Sequence, residues 1–207
     1  MDRFTLTVLG ADGYIGSEVS RLGVAIGCDV HGLTRGAEPE HVEPWMHGVQ
    51  WSPPGSASPG QSYACFEGSD AVVCAITPDA AHLDALKEAL RAAHKHDVGK
   101  FVYLSLDPHA PWSPEHTSIA LEAQALTQAH PLPWAILRAG LAWDDERRPL
   151  KLAASHHGIP EARAHELAPV RMELVAMAAL RAAMQPQTTG VLSPDEVAYL
   201  GDAMMIQ

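Results

Sequence analysis

The sequence predicts an α/β fold: a Rossmann-like doubly wound parallel sheet with helices on both faces and a small C-terminal cap. Three observations predict it. A glycine-rich turn joins an apolar run to a helical pattern near the start of the chain. Short strand-like runs then alternate with helix-period segments, the β-α-β order of a parallel sheet with right-handed crossovers. Finally, Ala71-Val72-Val73-Cys74-Ala75-Ile76 is a near-continuous apolar run, as expected of a strand covered on both faces.

Phe4 to Leu9 is the first strand, and Gly10-Ala11-Asp12-Gly13-Tyr14-Ile15-Gly16 is the turn. In this G-x-x-G-x-x-G spacing Gly10 can leave the strand sharply, and Gly13 lets the backbone approach a phosphate. Gly16 lets the next helix pack against the sheet. The free N–H groups and positive dipole end of that helix suit an anionic dinucleotide. A tight turn with no ligand would use the same glycines. Val19, Leu22, Val24, Ala25 and Ile26 give helical spacing from Ser17 to Ile26, with Gly27 as the stop. Asp29 to Thr34 is a second strand, followed by Arg35. In a Rossmann-like unit this position faces the adenosine ribose, where an arginine favours a 2′-phosphate. Arg35 therefore points to NADP(H) in preference to NAD(H), with a solvated loop arginine as the alternative.

Residues 36 to 62 are rich in Pro and Gly, with a third strand at Gly48–Trp51 and a brief helix at Ser62–Glu67. Thr77-Pro78-Asp79 offers a helix start, and Asp79 to His96 is amphipathic through Ala81, Leu83, Leu86, Leu90 and Ala93. Lys100 to Leu106 is the fifth strand. A helix opens at Ser113-Pro114-Glu115-His116 and runs to about Ala129, and Trp134 to Arg138 is the sixth strand. Asp144 to Pro169 reads as an insertion or cap over about residues 144–170, and Asp144-Asp145-Glu146-Arg147-Arg148 as a solvated turn. Met172 to Ala183 returns to helix and Gly190 to Leu192 to a strand. Ser193 and Glu196 form a capping box for a last helix. Residues 1–207 read as one dinucleotide-binding domain.

The composition bounds the function. The chain has 207 residues, 47% of them hydrophobic, and a formal net charge of −11, which argues against nucleic acid or an anionic membrane as partner. No apolar run reaches the roughly 18–20 residues that span a bilayer, and no signal peptide is visible. Cys28, Cys65 and Cys74 show no C-x-x-C spacing, so reduced thiols in a cytoplasmic protein are expected.

Assembled, these segments resemble the short-chain dehydrogenase/reductase superfamily in its atypical, NmrA-like branch. The resemblance rests on Val8 to Gly16, Leu33-Thr34-Arg35, Gly68 to Val73, Phe101-Val102-Tyr103-Leu104-Ser105, Leu132 to Gly140 and Pro169 to Ala176. Within the branch the chain looks most like relatives of the complex I 39-kDa subunit and the small coenzyme Q biosynthesis factors. The resemblance implies dinucleotide contacts at Gly10, Asp12, Gly13, Tyr14, Ile15 and Gly16, and a 2′-phosphate contact at Arg35. Ala75, Ile76 and Ser105, at the ends of two strands, would line the cofactor. It also implies a catalytic tyrosine four residues before a lysine, yet the chain has no Y-x-x-x-K. His116 and Ala120 occupy those two positions.

His116 is the candidate acid/base, since imidazole titrates near neutrality; an exposed helix-start histidine is the other reading. Asp107 and His109 sit where the resemblance places the substrate, with an ordinary loop after the fifth strand as the favoured reading. Trp45, Trp51, Trp112 and Trp143 could flank a flat apolar ligand or simply pack. His94, His96, His156 and His157 lack the spacing of a dedicated metal site, and none is expected. Two function classes follow. One is an NAD(P)(H)-binding protein with a degenerate catalytic motif, acting as a redox sensor or accessory factor. The other is an NADPH-dependent reductase or isomerase of a small carbonyl or quinone. Assembly into a homo-oligomer is left open.

Overall fold

The computed structural model describes residues 3–34, 43–52, 64–76, 82–156 and 158–202. Five parallel strands form the frame that the sequence anticipates: β1 (Thr5–Leu9), β2 (Asp29–Leu33), β4 (Ala71–Cys74), β5 (Lys100–Leu106) and β6 (Trp134–Ala139). Short edge strands β3 (Val49–Trp51) and β9 (Gly190–Leu192) complete a seven-stranded sheet in the order β3-β2-β1-β4-β5-β6-β9. The order reverses between β1 and β4. The carboxyl ends of these two neighbours therefore open the crevice in which such sheets bind ligands.

Both faces are buried. Helices α1 (Tyr14–Ala25), α5 (Met172–Met184) and α6 (Pro194–Asp202) cover one face, packing Val19, Val175, Ala179, Leu180 and Val197 against Leu6, Val8, Val73 and Val102. On the other, α2 (His82–Lys95) and α3 (Pro114–Gln128) place Leu86, Ala89, Leu90 and Ala123 over Val72, Cys74, Phe101 and Ile136. The alternation of neighbouring strand residues between these two cores explains why the strands read as apolar runs.

Two differences from the sequence reading concern boundaries. Helix α1 starts at Tyr14 rather than Ser17, because the turn closes into helix as soon as Gly13 caps it. The fourth strand stops at Cys74, with Ala75 and Ile76 leaving the ladder to form the rim of the crevice. The brief helix expected near residue 65 is a single 3₁₀ turn, Ala64–Phe66. The cap proposed at Thr77–Asp79 falls outside the described residues. The capping box is as expected: Ser193 Oγ accepts from the Glu196 N–H at 3.3 Å and donates to the Glu196 carboxylate at 2.8 Å.

Residues 142–171 build a feature the periodicity does not reveal. Strand β7 (Ala142–Trp143) pairs in parallel with β8 (Val170–Arg171), enclosing α4 (Leu150–His156) and a 3₁₀ helix at Glu161–Leu167. Trp112, Leu141, Ala153, Ala154, Ala164 and Leu167 form its own small core. Gly140 permits the return of the chain, since a Cβ there would lie 1.7 Å from the Ala168 carbonyl oxygen.

Candidate dinucleotide-binding site

The glycine turn is built by backbone fit. Gly10 has φ +83°, and a Cβ on it would meet the Ala75 carbonyl oxygen at 2.9 Å. Its N–H and that of Ala11 both donate to the Leu33 carbonyl, at 2.9 and 3.1 Å, tying the turn to the end of β2. A Cβ on Gly16 would lie 2.0 Å from the Gly10 carbonyl oxygen, so only glycine lets α1 start this close to the strand. Gly13 caps the helix with its backbone alone: no side chain caps α1, and no acidic residue stands in its first turn. The opening N–H groups and the positive helix end are therefore left for a ligand.

A largely apolar cleft opens beside this turn. Tyr14, Ile15, Ala75, Ile76, Tyr103, Ser105, Trp112, Ala120, Leu141 and Arg148 are among the residues that line it. Five predicted site residues (Tyr14, Ile15, Ala75, Ile76 and Ser105) are thus brought together in one wall. Gly10, Gly13 and Gly16 form the turn behind them. Asp12 is exposed at its crest. Arg35 lies outside the described residues.

The far end of the cleft holds hydroxyl groups in a buried network. Tyr103 Oη and His82 Nε2 are 2.8 Å apart. Ser105 Oγ accepts from Gln124 Nε2 at 2.8 Å, and Gln124 Oε1 accepts from Arg138 at 2.9 Å. Burial pushes the Tyr103 phenol well above its ordinary value. Burial likewise pushes the Cys74 thiol up to about 12, in keeping with an inert core cysteine. Ala120, at the position where the resemblance implies lysine, is buried and lines the cleft. His116, one turn earlier on α3, is not among the lining residues; its Nδ1 lies 2.9 Å from Ser113 Oγ, the cap of that helix.

Of the tryptophans, Trp112 lines this cleft, and its indole N–H donates to the Asp107 carbonyl at 2.9 Å. Trp45 and Trp143 line a separate polar groove with Glu18, Arg147 and Arg171. Asp107 Oδ1 accepts from the His109 N–H at 3.2 Å, within the loop after β5. His94 packs edge-to-face on His130 with ring centroids 5.6 Å apart. Among the described residues no cluster of three or more His, Cys, Asp or Glu could hold a metal ion. None of the described helices is long and apolar enough to cross a membrane.

The segment 144–148 is an exposed bend at Asp145, Glu146 and Arg147, as expected of a solvated turn, but Asp144 and Arg148 turn inward. Tyr14 Oη donates to Asp144 Oδ2 at 2.6 Å, and the Arg148 guanidinium lies 4.0 Å from the centroid of the Tyr14 ring. Arg147 reaches the buried Glu18 of α1 at 3.3 Å. Burial, then the bond to Asp144, raises the Tyr14 phenol. For Asp144, partial burial acts upward but is outweighed by the Tyr14 hydroxyl and the N–H groups of Arg147, Arg148 and Glu146. Its carboxyl is held below the ordinary 3.8. Sequence spacing did not show this, because 130 residues separate Tyr14 from Asp144. The available signal was topological: in this sheet order the segment after β6 returns over the crevice.

A glycine turn at the reversal of a parallel sheet, opening an uncapped helix onto an apolar cleft, defines a dinucleotide-binding protein of Rossmann type. A family model described as NAD(P)H-binding matches residues 10–186, and the chain belongs to that family. Its fold is shared by the Bordetella bronchiseptica enzyme WbmH in complex with NAD+, at TM-score 0.66 and 17% identity over 99% of this chain and 81% of that one. It is shared too by UDP-N-acetylglucosamine 4-epimerase from Bacillus cereus, at 0.65 and 14% over 95% and 82%. A mutant NmrA aligns at 0.58 and 19%, over 69% of this chain and 46% of the other. No curated protein matches the sequence.

Proposed function

We propose that the chain is an NAD(P)(H)-binding, atypical short-chain dehydrogenase/reductase-like protein with a degenerate catalytic motif, working as a redox sensor or accessory factor. The observation that carries the binding role is the glycine turn, whose Gly10 and Gly16 sit where any Cβ would collide with backbone. The groups present fit the cofactor: Gly13, Tyr14 and Ile15 would take the pyrophosphate, and Ala75, Ile76 and Ser105 the wall beside the nicotinamide. When bound, the cofactor supplies hydride transfer. The degenerate reading rests on the absent Y-x-x-x-K and on Ala120, which offers the cleft no ammonium. The preference for NADP(H) rests on Arg35 directly after β2. Placement near relatives of the complex I 39-kDa subunit and coenzyme Q factors, a cytoplasmic location and a homo-oligomer belong to the same proposal, as does the reading of residues 1–207 as one domain.

A second reading is an active NADPH-dependent reductase or isomerase of a small carbonyl or quinone. The largely apolar lining of the cleft, with Tyr103, Ser105 and Trp112 among its residues, favours it, since an apolar pocket with a few polar residues suits such a ligand. In this reading His116 or water supplies the proton. Titration with NADH and NADPH, followed by nicotinamide fluorescence and thermal stabilisation, tests both readings. NADPH binding that Arg35→Ala weakens more than NADH binding supports the cofactor choice. No binding of either nucleotide at roughly millimolar concentration, far above ordinary affinities, removes both. Steady NADPH oxidation with a quinone, lost in His116→Ala, would sink the degenerate reading.

A further inference from the structure

The cleft beside the glycine turn has one charged lining residue among those described, and it does not come from the turn. It is Arg148. This arginine belongs to the segment between β7 and α4, yet three contacts fix it against the start of α1. Its guanidinium stacks 4.0 Å above the Tyr14 ring. Its backbone N–H donates to Asp144 Oδ1 at 3.1 Å. Asp144 in turn accepts from the Tyr14 hydroxyl at 2.6 Å through its other oxygen. The neighbouring Arg147 also lies near the Tyr14 ring, at 5.7 Å from its centroid, but it is ion-paired, to Glu18 at 3.3 Å and to Asp144 at 3.9 Å. No carboxylate among the described residues lies within ion-pair distance of the Arg148 guanidinium.

A cation held half-buried, stacked on an aromatic ring and with no carboxylate partner among the described residues, is an arrangement suited to an anionic ligand. The surroundings narrow the class. Tyr14 is the first residue of α1, so the guanidinium lies beside the uncapped helix start. A chain of net charge −11 also needs local positive charge to hold a dinucleotide that carries its charge on the phosphates. Resting on the dinucleotide-binding reading above, we propose that Arg148 is a specificity residue for the pyrophosphate: it contacts the phosphate oxygens from beside the start of α1. The Tyr14–Asp144 hydrogen bond holds it in position. The segment after β7 thereby closes the binding site with charge, where the turn contributes backbone only.

The test uses the full chain and three probes: NADH, ADP-ribose, which keeps the pyrophosphate but lacks nicotinamide, and adenosine, which lacks both. Arg148→Ala weakens NADH and ADP-ribose by the same factor, about ten- to a hundredfold for a charge-assisted hydrogen bond, and leaves adenosine unchanged. Arg148→Met keeps the aliphatic stem against Tyr14 and shows the same loss, while Arg148→Lys recovers part of it. ADP-ribose binding by Arg148→Met equal to that of wild type overturns the assignment. Loss confined to NADH overturns it as well, since the guanidinium would then act at the nicotinamide end. Wild type binding neither NADH nor ADP-ribose would instead overturn the dinucleotide reading on which the assignment rests.

Discussion

The two ends of the cleft are made from different materials. At the β1 end, recognition is built into backbone: a positive φ at Gly10, a close approach at Gly16, and a helix start without a side-chain cap. At the β5 end it is built from side chains: Tyr103 with His82, Ser105 with Gln124, and Ala120 where the family resemblance implies lysine. A backbone site tolerates no enlargement at its glycines, because the clash is with main chain that has nowhere to go. A side-chain site can lose one charged group and keep its fold, since an alanine fills a helix position as well as a lysine does. The binding end and the chemical end can therefore diverge separately. Here the first keeps its close-packed glycines, and the second lacks the tyrosine–lysine pair.

The largest effect should come from breaking the backbone end. Gly16→Val places a Cβ 2.0 Å from the Gly10 oxygen, so α1 must move. We expect loss of both NADH and ADP-ribose binding, with about 3 kcal/mol of destabilisation from overpacking. For a chain of this size the thermal midpoint should fall by roughly 6–12 °C. Retained ADP-ribose binding would show that the turn is not the binding end. Next comes Gly140→Ala, which drives a Cβ into the Ala168 oxygen where the 142–171 segment docks. A loss of about 1–3 kcal/mol is expected, together with weaker nucleotide binding if that segment completes the site. Full affinity in calorimetry would detach the segment from the comparison.

The side-chain end is probed by Ala120→Leu, which fills space in the cleft without touching the turn. NADH binding should weaken by about tenfold, the cost of modest overpacking, while ADP-ribose binding stays the same. Equal loss of both ligands would contradict the division of the cleft into two ends. The smallest effect concerns the tie between the start of α1 and the segment after β7. Tyr14→Phe removes the hydrogen bond to Asp144, and about 1–2 kcal/mol of stability should be lost. Its pH dependence has a definite sign. The Asp144 carboxyl is lower in the folded protein than its ordinary 3.8, so its contribution is present above that value and is lost as pH falls through the folded one. The difference in urea midpoint between wild type and Tyr14→Phe should therefore shrink in acid. A difference that grows in acid would show that Asp144 is not the partner that matters.

Particular elements mark how far the sequence could be read. Strand β5 matches its expected bounds at Lys100–Leu106, because seven consecutive strand-forming positions end in a Pro-containing loop. Tyr14, Ile15, Ala75, Ile76 and Ser105, which the resemblance implied, line the cleft because they stand at the start of α1 and at the carboxyl ends of β4 and β5. Their place follows once the parallel order is known. Asp144 and Arg148 were not legible in the same way. Acidic and basic residues in a short run have the composition of a solvated turn, and no local signal says which distant ring they will meet.

The sequence by itself determined the strands, the two apolar faces and the glycine turn, since each depends on periodicity or on the absence of a Cβ within a few residues. Only the tertiary structure decided that residues 142–171 fold back to set Arg148 over Tyr14, and that Ala120 rather than His116 lines the cleft. Those outcomes depend on contacts between segments far apart in the chain. The path of a returning segment is set by how the whole sheet packs, which no window of neighbouring residues contains.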